Sequence, residues 1–153
     1  MLRSFVILFM SSFALFCSCQ QGAYKSAQGQ QGLQGQLYWI EGNRMPGPGM
    51  GAGNPGTPVQ RKVHIYPALK ASMVTGQAPL YETVSVDPVV VLTSNESGSF
   101  FVILEPGTYS VLTEEPNGLF ANIIDGDQII NPVEVVEGAF TGINIEINYK
   151  AYY

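Results

Sequence analysis

The chain has little cysteine, little histidine and little charge, and each shortage removes a class of function. Both of its cysteines, Cys17 and Cys19, lie within the first nineteen of 153 residues. The remainder therefore forms no disulfide and offers no thiol nucleophile or thiolate ligand. One histidine, His64, cannot build a multi-histidine metal centre, and no Ser and Asp are signalled around it as a triad. It belongs to the polar set of a strand and is read as a surface or hydrogen-bonded histidine. Lys and Arg number 7 against 12 Asp and Glu, a formal charge of −5 spread without runs. That balance speaks against nucleic acid and against a polybasic membrane patch. No apolar run reaches the about 20 residues that a membrane-spanning helix needs. The inventory predicts a protein that is not an enzyme.

What is present begins at the N-terminus. Arg3 precedes an apolar run from Phe5 to Phe16, followed by Cys17, Ser18 and Cys19. The run has the length of a signal-peptide core. Cleavage before Cys19 leaves the small Ser18 at the last signal position, whereas cleavage before Cys17 leaves the bulky Phe16. The segment resembles the lipobox of bacterial lipoproteins, with Phe16 where Leu is usual. The resemblance implies a signal over 1–18 and lipidation at Cys19. Each buried methylene is worth about 0.8 kcal/mol, so two or three acyl chains anchor a soluble domain where one does not. Residues 19–32 are rich in Gln, Gly, Ser and Ala and read as a flexible tether. Gln20 and Gln21 carry no acidic retention signal, so the resemblance points to the outer membrane, on its periplasmic or its cell-surface face.

From residue 33 to 153 one domain is expected, and its apolar period is two, the signature of half-buried strands. Leu37 and Trp39 alternate with Gln36 and Tyr38, and Val59, Val63 and Ile65 with Gln60, Lys62 and His64. Val89, Val90, Val91 and Leu92 are continuous, which predicts a central strand covered on both faces or a sheet crossover. Phe100, Val102 and Leu104 alternate with Phe101 and Ile103. Ile143, Ile145, Ile147 and Tyr149 alternate with Asn144, Glu146, Asn148 and Lys150. No helical stripe of comparable length occurs. Short strands with Gly and Pro punctuation predict an all-β, antiparallel sandwich of seven or eight strands.

The run Ser94-Asn95-Glu96-Ser97-Gly98-Ser99-Phe100-Phe101-Val102, then Leu104-Glu105-Pro106-Gly107-Thr108-Tyr109-Ser110-Val111, resembles the pattern of carboxypeptidase regulatory-like domains. These are prealbumin-like sandwiches similar to the B-repeats of collagen adhesins. The resemblance implies a Gly-containing hairpin, a strand with aromatic knobs, a Pro-Gly turn and a return strand whose Tyr packs inward. It implies little chemistry, because the fold serves adhesion, stalks and assembly alike.

Candidate binding residues come from loops and aromatics. The stretch from Met45 to Pro58 is Gly- and Pro-rich and includes Met50 and Asn54. It is either a disordered connection, the favoured reading, or a binding loop on a rigid scaffold. It lacks the Gly-Lys-Ser/Thr of a phosphate loop. Trp39, Tyr152 and Tyr153 are candidate contact aromatics, the terminal pair because it lies beyond the last alternating residue. Asp125 and Asp127 flank Gly126 and offer hard oxygen ligands to calcium, but they do not complete a calcium loop. A hairpin turn is the preferred reading and no cofactor is expected. The function expected is a binding or assembly module for an envelope protein complex. The alternative is a surface glycan-binding module that uses exposed aromatics beside the 45–58 loop.

Overall fold

The computed structural model describes residues 30–45 and 56–153. The signal, Cys19, most of the tether, Met50 and Asn54 lie outside the described residues. Eleven strands follow in order: β1 (Gly32–Asn43), β2 (Thr57–Pro58), β3 (Lys62–Pro67), β4 (Val74–Gln77), β5 (Leu80–Val84), β6 (Val90–Thr93), β7 (Ser99–Ile103), β8 (Gly107–Glu115), β9 (Gly118–Phe120), β10 (Pro132–Val135) and β11 (Phe140–Tyr152). They form an all-β sandwich of a four-stranded and a seven-stranded sheet. The count exceeds eight because several strands are only two to four residues long, cut by Pro and Gly.

β1 is the spine of the small sheet. β11 pairs along one side of it, while β7 and then β2 share the other side. All ladders are antiparallel except β1 with β11, which is parallel. The turn after β10 brings the chain into the small sheet at the end where β1 begins, so the two strands must run together. A register shift between Trp39 and Glu41 switches the buried set of β1. Leu33 and Leu37 point inward before the bulge and Ile40 is buried at it.

β8 is the spine of the large sheet, flanked by β3 on one side and by β10 and β9 on the other. Its consecutive residues serve two cores. Val111 joins Leu33, Leu37, Val63, Ile65, Phe100 and Ile147 between the sheets. Leu112 joins Tyr66, Leu69, Tyr81 and Ile130 on the opposite face. Tyr66 shares the polar set of His64 in sequence but is buried, because the chain around Leu69 and Ile130 covers that part of the face. Polar groups brace these covers. Buried Ser110 accepts the Leu69 amide at 2.9 Å, and Asn131 binds the Val111 carbonyl and the Ile123 amide.

One expectation is corrected. The Val89 to Leu92 run is not central: among the described residues β6 is an edge strand bonded only to β3. Val90 and Leu92 pack on the core from one side, while Val89 and Val91 are exposed. Continuity of apolar residues reflects burial only when both faces of a strand are covered, and among the described residues nothing covers the face that carries Val89 and Val91 at this sheet edge.

On the outer face of the large sheet, Lys62 Nζ and His64 Nε2 lie 3.0 and 2.9 Å from the two oxygens of Glu114. Hydrogen bonds from Lys62 and then His64 hold this carboxyl below its ordinary value of 4.5. A depressed folded pKa stabilises above the unfolded value and loses that contribution as pH falls through the folded one. Glu114→Gln is therefore expected to flatten the acid limb of stability below pH 4.5. The change is small because the group is exposed. Urea midpoints measured between acid and neutral pH check it, and an acid limb as steep as the parent's would rule it out.

Candidate functional site

The outer face of the small sheet carries side chains that the core does not need. With Leu33 and Leu37 inward, Gln34 and Gln36 point outward, and the register sets their neighbours. Phe101, Gln34 and Gly142 form one row across β7, β1 and β11, and Ser99, Gln36 and Asn144 form the next. Phe101 is 71% exposed and Ile103, two residues on, is 55% exposed. Both belong to the outward set of β7, the partner set to Phe100 and Val102.

These rows enclose an open concavity of about 640 Å3. Its shape follows from two glycines. Gly142 puts no side chain beside Gln34 on the β11 side, and a Cβ there would meet nothing within 4 Å, so that part of the floor is open. A Cβ at Gly35 would lie 2.5 Å from Cε1 and Cζ of Phe100. The bare backbone there lets the Phe100 ring fill the space beneath.

The rim is part locked and part free. Gln36 donates through Nε2 to the Ser97 carbonyl and accepts the Ser99 hydroxyl at 2.7 Å. Asn95 Oδ1 accepts the Ser97 hydroxyl and the Ser99 amide, each at 2.8 Å. Gln34 and Asn144 are exposed, and their side-chain amides bond to no described residue. None of the lining residues is charged. A second hollow of about 250 Å3 between β10 and β11, lined by Ile123, Val133 and Ile145 among others, has no aromatic wall.

The residues singled out from sequence lie elsewhere. Trp39, Met45, Tyr152 and Tyr153 gather toward the other end of the small sheet, where Asn43 pairs with Tyr152. Trp39 is not a free platform. It packs edge-on against Tyr149 with centroids 5.2 Å apart, and Arg61 and Lys150 each stand 5.7 Å from its ring centroid. Met45 is exposed and its amide donates to Asn43 Oδ1. Tyr152 and Tyr153 are 74% and 69% exposed, and the Tyr153 hydroxyl accepts from Asn148. Asp125 and Asp127 form a turn in which Asp125 Oδ1 accepts the amides of Asp127 and Ile129 at 3.0 and 2.7 Å. That oxygen caps backbone donors. Among the described residues no three His, Cys, Asp or Glu side chains are grouped to hold a metal.

Beneath Trp39 lies a group that sequence reasoning missed. The Glu115 side chain is fully buried, with Arg61 Nε 2.9 Å from Oε1 and the Tyr149 hydroxyl 3.1 Å from Oε2. Burial first, and the Glu115 charge second, push the Tyr149 hydroxyl above its ordinary pKa of 10.0. Tyr149 therefore stays a donor, and the cluster acts as a polar rivet between β8 and β11. Compared with known proteins, the chain matches no family model, no curated protein and no solved structure.

Proposed function

We propose that the chain is a non-enzymatic outer-membrane lipoprotein, anchored through Cys19, that acts as a binding or assembly module of the cell envelope. Its docking surface is the outer face of the small sheet. The observation that carries this reading is the uncovered pair Phe101 and Ile103, 71% and 55% exposed, on the same face of an edge strand. Large apolar side chains side by side in water mark interaction surfaces more often than isolated ones do. The face lies at the end where β1 begins, so the 19–32 tether joins the domain beside it. An envelope protein complex is the first candidate partner. A glycan is the second, and one observation favours it: the concavity beside Phe101 combines aromatic rings with four side-chain amides and the Ser99 hydroxyl, and among the described residues no charge lines it.

The test uses the Cys19→Ser chain, which cannot be lipidated, added back to isolated outer membranes. The parent chain is expected to sediment with membranes in cells and the Cys19→Ser chain to be recovered soluble. Added back, it binds saturably. Phe101→Asp with Ile103→Asp weakens that binding by about tenfold or more, while His64→Gln on the other sheet leaves it unchanged. Equal binding by all three sinks the assignment of the face. Loss of binding after protease treatment of the membranes marks a protein partner, and loss after periodate marks a glycan.

A further inference from the structure

We infer that the concavity beside Phe101 is a subsite for a neutral oligosaccharide, an inference that rests on the docking face described above. Four features of the site converge on this class. Phe101 offers an exposed aromatic face, to which the C–H face of a sugar ring can pack while its hydroxyls remain free. Gln34, one strand away in the same row, and Asn144, in the next row, present amides that bond to no described residue. Each planar amide supplies donors and an acceptor together, the set that adjacent sugar hydroxyls require. The missing side chain at Gly142 leaves room for a ring between them, since a Cβ there meets nothing within 4 Å.

The fourth feature is the absence of charge. Among the described residues no Lys, Arg, Asp or Glu lines the site. Phosphates, nucleotides and acidic or basic peptides would find no described counter-charge there. A polyhydroxylated neutral ligand has no such cost. The volume, about 640 Å3, falls within the about 300–1,000 Å3 of small-molecule sites. The locked rim of Gln36, Ser99 and Asn95 fixes one wall, so the ordering that binding requires falls on Gln34 and Asn144.

The geometry also assigns roles. Phe101 is the platform, Gln34 and Asn144 are the two polar contacts, and Gly142 is the gap whose filling blocks the ring. The probes are cellohexaose, xylohexaose, laminarihexaose, mannohexaose and chitohexaose, with hexagalacturonate as the charged control. Each is titrated into the ¹⁵N-labelled Cys19→Ser chain, following the side-chain amide resonances of Gln34 and Asn144.

At least one neutral probe is expected to shift both resonances saturably, with a Kd of about 1 mM or tighter, and hexagalacturonate is expected to leave them in place. Phe101→Ala weakens binding by about tenfold or more and Phe101→Tyr restores it, because only the ring face is used. Gly142→Val blocks binding while the backbone spectrum stays dispersed. Silence with every neutral probe, or Phe101→Ala binding like the parent, overturns the sugar assignment. If membrane binding still depends on Phe101 in that case, the face docks a protein. If membrane binding is also indifferent to Phe101, the docking reading falls with it.

Discussion

Arg61→Met lowers the stability of the domain by about 3 kcal/mol, whereas Glu115→Leu lowers it by less than about 1.5 kcal/mol, although the two changes break the same ion pair. The asymmetry comes from what each leaves behind. The Glu115 side chain has no exposure and Arg61 has 29%. Without Arg61 a carboxylate remains in the interior with one hydroxyl, that of Tyr149, and must be charged without a counter-ion or take up a proton. Without Glu115 the guanidinium turns to water and keeps its bond to the Gln60 carbonyl and its place near Trp39. Tyr149 then loses its acceptor, a cost of about 1 kcal/mol. The double variant is expected to recover most of the loss of Arg61→Met, because it removes the stranded charge. Urea unfolding of the four proteins gives the coupling energy. Equal losses for the two single variants would show that the carboxylate is hydrated in solution and that the rivet is not dry.

This cluster also shows what sequence can and cannot reveal. Glu115-Pro116-Asn117-Gly118 reads as a turn, and the structure has the turn, with β8 and β9 joined through Pro116 and Asn117. Nothing in the local pattern says that Glu115 is buried. Its partners Arg61 and Tyr149 are 54 and 34 residues away, and only the sandwich brings them together. Strands whose neighbours are regular are legible. The alternation from Ile143 to Lys150 and that from Phe100 to Leu104 appear in the structure with the same faces. Strands whose burial depends on remote covers are not. Tyr66 has a cover and Val91 lacks one, and both depart from the simple pattern for that reason.

The candidate site was half legible. The outward set of β7 is Phe101 and Ile103, apolar where an exposed face should be polar, and the alternation of that strand already carries the anomaly. Gln34 sits at the junction of tether and domain, and Asn144 in an unremarkable polar set. Their meeting across β1 depends on the parallel register of β11, which alternation within one strand cannot supply. Trp39 is a candidate contact aromatic by sequence, but its ring is committed to Tyr149, Arg61 and Lys150.

Gly98→Val is expected to destabilise the domain by about 3 kcal/mol or more, combining backbone strain with overpacking. Gly98 has φ +80°, a region that costs an L-residue about 1–2 kcal/mol and a β-branched one more. A Cβ there would lie 2.5 Å from the Leu37 carbonyl oxygen. That oxygen is already the acceptor for the Val59 amide, and the Gly98 carbonyl accepts the Leu37 amide at 3.0 Å. The glycine therefore ties three segments: the turn from Asn95 to Ser99, the spine strand β1 and the approach to β3. Moving any of them to make room breaks a hydrogen bond in another. Two milder variants separate the causes. Asn tolerates positive φ better than Ala does, so the difference between Gly98→Asn and Gly98→Ala reports backbone strain. What both lose relative to glycine reports the contact with Leu37. Denaturation midpoints of the three variants provide the measurement. A Gly98→Ala protein within about 0.5 kcal/mol of the parent, the range of neutral surface changes, would mean that the turn moves freely from β1. The Ser99 and Asn95 wall of the concavity would then be mobile, and the Phe101 site would lose the fixed rim on which its selectivity depends.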